Sequence, residues 1–182
     1  EALRKQGVQQ ACPICRVLLP SGPEQLFEDA SCLYVRTAAR YRAVAGSWKP
    51  QRTSEKEDMA LVIELFTNAA NQGHIRAHQS IGLIYFTGSG VAQDYRKAVQ
   101  WTRKAADRGD ALAQTDLGKM YREGTGVDQD YNEAACWFRK AADQGLADAQ
   151  LDLGLMHREG KGVDQDYNEA ARWFRKAAEQ GL

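Results

Sequence analysis

This sequence should fold into an all-α superhelical solenoid, an α/α stack of helix-turn-helix units recurring every 36 residues. Residues 74–109, 110–145 and 146–181 align without a gap. The second and third segments are identical at 28 of 36 positions, and the first matches the second at 17. Self-similarity at a fixed period of this size marks units that bury their apolar faces against neighbours. The punctuation is periodic too: 13 of the 16 glycines and three of the four tryptophans (Trp101, Trp137, Trp173) fall on repeat positions. With 27 alanines, four prolines and 26% charged residues among 182, the composition is that of a helical protein and not of a disordered chain.

The helices follow in chain order. Pro23 sits at an N1-like position and opens a helix over 24–45. Leu26, Phe27, Ala30, Leu33, Tyr34, Ala38 and Tyr41 form its apolar stripe. Gly46, Pro50 and Gln51 mark a loop over 46–53. Ser54 and Glu57 then make a capping box for a helix over 55–72. That helix carries Met59, Ala60, Val62, Ile63, Phe66, Ala69 and Ala70. Its ending, Ala-Ala-Asn-Gln-Gly73, matches Ala-Ala-Asp-Gln-Gly145, so 23–54 and 55–73 read as the two halves of a degenerate unit.

Each full unit gives a helix A and a helix B. In the second unit helix A runs from about Ala111 to Glu123, with Ala113, Leu117, Met120 and Tyr121 at helical spacing. Gly124 stops it as a C′ residue of positive φ. Val127 tucks under the hairpin. Asp130 caps helix B and Glu133 completes a capping box; Asp166 and Glu169 repeat it, while the first unit has Asp94 with Lys97. Helix B carries Tyr131, Ala134, Trp137, Phe138, Ala141 and Ala142 and ends at Gly145. Gly118 inside helix A, where glycine costs about 1 kcal/mol relative to alanine, implies close backbone approach to helix B. The tryptophans read as core packing and not as a ligand box.

The string Ala-x-x-x-x-Gly-x-x-Tyr-x-x-Gly-x-Gly-Val-x-x-Asp-Tyr-x-x-Ala-x-x-Trp-x-x-Lys-Ala-Ala-x-x-Gly resembles the Sel1-like repeat, a relative of the tetratricopeptide repeat. The resemblance covers 74–181, with 146–182 as the third unit, and His157 departs from it where Tyr85 and Tyr121 stand. It implies a solenoid adaptor whose repeats carry no chemistry of their own.

Cys12-Pro13-Ile14-Cys15-Arg16 has the spacing of half a zinc site. Three readings compete. A redox pair needs a long helix directly after it, and Pro20, Ser21, Gly22 and Pro23 follow instead. Two plain thiols are the second. Metal binding is the third, with Cys12 and Cys15 as an incomplete site. The stretch Gly-Val-x-x-Ala-Cys-Pro-Ile-Cys-Arg resembles the final ligand pair of a RING finger, so residues 1–22 read as its remnant. That resemblance implies zinc and a ubiquitin-conjugating enzyme as partner in an intact parent, with Ile14 and Arg16 at the contact. A RING needs eight ligands and this chain has two of them, so no cofactor is expected in the chain itself. Both ends read as cut.

No active site assembles, and no catalytic residue is proposed. Gly88-Ser89-Gly90 closes a helix and follows no strand. His74 and His78, four apart, read as an exposed pair and not as metal ligands. A net charge of zero gives no reason to expect nucleic acid. Residues 1–54 carry +4 and 55–182 carry −4, a small offset. No apolar run approaches the roughly 18 residues of a membrane helix. Four scattered cysteines suit a reducing, cytoplasmic compartment.

The expected function is a protein-protein interaction scaffold that takes a protein or peptide in the concave groove lined by helix A. The alternative is the substrate-binding arm of a RING-type ubiquitin ligase. On helix A one stripe is kept for packing while another varies: Arg76, Gln79, Leu83 and Phe86; Leu112, Thr115, Lys119 and Arg122; Asp148, Leu151, Leu155 and Arg158. Of the eight differences between the second and third units, three (112/148, 115/151, 119/155) lie on it. Leucines there would be anchors, and Lys119 and Arg122 would select acidic neighbours.

Overall fold

A computed structural model describes residues 10–11, 18–19, 22–45 and 53–181. Cys12 and Cys15 lie outside the described residues. Two short strands come first, β1 (Gln10–Ala11) and β2 (Leu18–Leu19). They pair antiparallel, Gln10 opposite Leu19 and Ala11 opposite Leu18, an addition that the helical pattern did not announce. The other described elements are helices: α1 (Pro23–Ala45), α2 (Thr53–Asn71), α3 (Ile75–Thr87), α4 (Tyr95–Ala106), α5 (Ala111–Glu123), α6 (Tyr131–Asp143), α7 (Ala147–Glu159) and α8 (Tyr167–Ala178). The fold is an all-α solenoid. It divides into two compact units, Glu1–Ala92 and Gln93–Leu182.

In the first unit α2 packs on both α1 and α3. The apolar stripes meet as Ala30 and Leu33 from α1, Met59, Val62, Phe66 and Ala69 from α2, and Ala77, Ile81 and Ile84 from α3, all buried. Ala60 is instead turned to solvent. Because α2 opens at Thr53, Ser54 lies inside its first turn and not ahead of it. The histidines depart from expectation. His78 is only 3% exposed. The His74 ring stacks on Phe27 with centroids 4.1 Å apart, and its Nε2 lies 3.1 Å from Glu24 Oε2. Aromatic stacking gives an imidazole an apolar place to sit, which spacing on a helix face cannot reveal.

In the second unit the helices pack in chain order, α4 on α5, α5 on α6, α6 on α7 and α7 on α8. Phe138, Ala134, Ala141, Ala149, Leu153, Met156 and Trp173 form one buried cluster, with Val163 packed against it. A Cβ added at Gly118 would stand 2.7 Å from Cε1 of Phe138, and Gly154 faces Phe174 in the same way. What stands against Gly118 is therefore an aromatic ring of helix B and not its backbone, as the sequence had suggested. Gly124 ends α5 at φ 71°, its N–H bonded to Met120 O. Two residues on, a Cβ at Gly126 would collide with the Tyr95 carbonyl, and one at Gly162 with the Tyr131 carbonyl. Each hairpin loop thus rests on the first residue of the preceding helix B.

Half of the capping box forms. Asp130 accepts from the N–H groups of Asn132 and Glu133, and Asp166 from those of Asn168 and Glu169. The reciprocal arm would need the Asp130 N–H, but this donates to Tyr121 O at 3.0 Å; the Asp166 N–H donates to His157 O. Closing the hairpin has taken the donor that the glutamate would have used.

Candidate protein-binding face

The variable stripe of the second unit stands on α5 and α7. These helices are joined by Arg122, whose Nη1 lies 2.6 Å from Oδ1 of the buried Asp152. Arg122 also lies 3.2 Å from Glu123. Partial burial disfavours its cation, but the bonds to Asp152 and Glu123 outweigh that and raise its pKa.

A glutamine ladder fixes the spacing of the units. Buried Gln114 donates to Ala106 O at 3.1 Å and accepts from Gln144 Nε2 at 2.8 Å. Gln150 and Gln180 repeat this 36 residues on, with Gln150 donating to Ala142 O and accepting from Gln180 at 2.9 Å. Sequence reasoning missed these residues, although both pairs recur at the period. It also missed Asp152 as the partner of Arg122.

The stripe then sorts by exposure. Leu112 is 47% exposed and Leu151 is 41% exposed. Lys119 and Leu155 are half-buried; Asp148 is exposed. Arg158 is exposed, 3.5 Å from Glu159. Thr115 does not reach the surface: it is 3% exposed, and its hydroxyl donates to Ala111 O. A small side chain that bonds its own helix backbone stays beneath its longer neighbours. The residues of α3 lie in the first unit, where Leu83 and Arg76 are exposed and Gln79 and Phe86 half-buried.

On the helix B side each tryptophan is covered by a lysine three residues on. Lys104, Lys140 and Lys176 place Nζ at 4.0, 3.7 and 3.9 Å from the ring centroids of Trp101, Trp137 and Trp173. Trp137 and Trp173 are buried as core residues. Among the described residues no group of three or more His, Cys, Asp or Glu is placed to hold a metal ion. Among them too, no helix is long and apolar enough to cross a membrane.

The family described as Sel1 repeat matches residues 75–110, 111–146 and 147–182. No curated protein matches the sequence. Among solved structures, c5321, a protective antigen of uropathogenic Escherichia coli strains with an SLR fold, is 39% identical at a TM-score of 0.67. That match covers 90% of this chain and 34% of c5321. A Sel1 repeat protein of Oxalobacter formigenes is 29% identical at 0.66, over 88% of this chain and 59% of its own. Helicobacter pylori cysteine rich protein B is 25% identical at 0.55, over 70% of this chain and 91% of its own. The chain thus spans about a third of the first of these proteins and under two thirds of the second.

Proposed function

Because the chain belongs to the Sel1 repeat family, whose members generally act as protein-interaction scaffolds, we propose that it captures a peptide or protein segment on its helix A faces. In the second unit the contacts are Leu112, Lys119, Leu151 and Leu155 on α5 and α7; Leu83 and Phe86 on α3 belong to the corresponding face of the first unit, taken by itself. The observation that carries this reading is the exposure of Leu112 and Leu151 on a surface whose packing does not use them. Exposed apolar side chains on such a face are anchors for a partner. Selecting peptides from a random library on the immobilised chain tests it. The wild-type chain should enrich a defined set, and Leu112→Glu with Leu151→Glu should lose it at unchanged helicity. No enrichment, or the same set on the variant, overturns the reading. A cytoplasmic setting accompanies this reading, and free, exposed Cys32 and Cys136 are consistent with it.

The C-x-x-C spacing at Cys12 and Cys15 supports a second reading, in which these residues end a RING-type finger of a ubiquitin ligase and meet a ubiquitin-conjugating enzyme. Among the described residues, a strand, β2 (Leu18–Leu19), follows Cys15 in sequence, and the first helix is α1 from Pro23. A redox pair would want a helix there. Zinc content of this chain and of a polypeptide extended upstream tests it. Tight zinc in the extended form supports the finger, and metal in neither form leaves two plain thiols.

A further inference from the structure

In the second unit, α5 packs on α4 and α7 packs on α6. The α6 face that meets α7 carries Ala135, Phe138 and Ala142, all buried in one cluster with Ala149, Leu153 and Met156 of α7. The equivalent residues of α8 are the same three: Ala171, Phe174 and Ala178. Among the described residues nothing closes over them. Ala171 and Ala178 are exposed and Phe174 is half-buried.

The helices that cover α4 and α6 state what fits such a face. α5 brings Ala113, Gln114, Leu117, Met120 and Tyr121; α7 brings Ala149, Gln150, Leu153, Met156 and His157 at the same spacing. Two polar contacts fix the register. Gln114 donates to Ala106 O, and Gln150 donates to Ala142 O. Arg103 on α4 donates to the Tyr121 hydroxyl, and Arg139 on α6 lies 3.5 Å from His157 Nε2. The counterparts on α8 are Ala178 O and Arg175. Ala178 O takes the Gly181 N–H, as Ala142 O takes that of Gly145, but receives no side-chain donor among the described residues. Arg175 is exposed.

We propose that the outer face of α8 binds an amphipathic helix of another polypeptide, one that carries Ala-Gln-x-x-Leu-x-x-Met-Tyr and lies on α8 as α7 lies on α6. Its alanine, leucine and methionine close over Ala171, Phe174 and Ala178. Its glutamine donates to Ala178 O, and its tyrosine accepts from Arg175. Anchors at i, i+4 and i+7 share one side of a helix. The small side chains at 171 and 178 let the two helices approach closely. The occupant comes from another polypeptide because α3, α5 and α7 are each already packed on the helix before them. A second folded copy of this chain offers no free helix of this kind for the same reason. The surface is separate from the helix A stripe.

The probe is a dye-labelled peptide with the sequence of residues 110–123, titrated with the full chain and read by fluorescence anisotropy. An isolated helix of this length is marginal. Leu112→Lys in the peptide, closed by a lactam onto Asp116, holds it helical, and neither position belongs to the Ala-Gln-Leu-Met-Tyr side. The chain should bind it saturably. Ala171→Glu or Ala178→Glu in the chain should weaken binding at least about tenfold, because the contact would bury a carboxylate without a partner. Both positions are exposed, so both variants fold. Gln114→Ala in the peptide should weaken binding about fivefold, the effect of one lost hydrogen bond. Absence of binding, or equal affinity for the wild-type chain and Ala171→Glu, overturns the proposal. A dimer of the unliganded chain that Ala171→Glu dissociates, seen by sedimentation, also overturns it, since the face would then belong to a second copy. None of these outcomes bears on the helix A faces, which the random library tests.

Discussion

Arg122 on α5 and Asp152 on α7 form an ion pair of 2.6 Å between successive helix A elements. The acid is buried and the base is half-buried. The pair holds the Arg122 guanidinium against α7. Asp152→Ala should destabilise the second unit by about 1–3 kcal/mol, because it strands a partly desolvated guanidinium. Asp152→Asn, which keeps a hydrogen-bond acceptor, should cost less. A double-mutant cycle with Arg122→Ala, read by urea denaturation, measures the coupling; strict additivity would mean the pair contributes nothing.

Gly118→Ala should cost about 1–3 kcal/mol, since the new methyl would stand 2.7 Å from the Phe138 ring. Combining it with Phe138→Leu should recover part of the loss. A Gly118→Ala protein as stable as wild type would show that the ring swings aside freely.

Trp137→Ala should cost about 3–5 kcal/mol, the range for a buried large aromatic in the core. It also removes the seat of Lys140. Lys140→Ala alone should cost under about 1 kcal/mol, because an exposed cation over a ring contributes little. Chemical denaturation of both variants separates packing from charge.

Acid should loosen α8 through its cap. The backbone N–H groups of Glu169 and Asn168 hold the Asp166 carboxyl below its ordinary value. A group lowered on folding adds stability above its unfolded pKa and loses it as pH falls through the folded one. Asp166→Asn caps nearly as well without titrating. The wild-type advantage over this variant should therefore be present at neutral pH and shrink as pH falls below the aspartate range. A pH-independent difference in melting temperature would assign the cap's effect to hydrogen bonding alone.

Helices were legible wherever the period of 36 repeated. Positions of Gly124, Asp130 and Trp137 announce a stop, a start and a core residue through chemistry that is local. What stayed hidden depends on contacts between elements. The Glu133 arm of the capping box was expected because the sequence offers it; the Tyr121 carbonyl took its donor. Thr115 looked variable and therefore exposed, yet it is buried against its own helix. The glutamine ladder was visible only as two residues kept at the period, and polar repeats read first as surface. His74 looked exposed because its stacking partner, Phe27, is 47 residues away in sequence.

The contact of Gly162 with the Tyr131 carbonyl bears on where this chain tolerates added length. A side chain has no room at Gly126 or Gly162, where each loop is seated on the helix before it. At the turns between hairpins a Cβ at Gly109 or Gly145 would meet nothing within 4 Å. Insertions of a few residues should be accepted after Gly109 or Gly145 and rejected between Gly124 and Val127 or between Gly160 and Val163. The repeat thus has one elastic joint and one rigid one. Epitope tags, protease sites and natural length variation belong at the elastic joint.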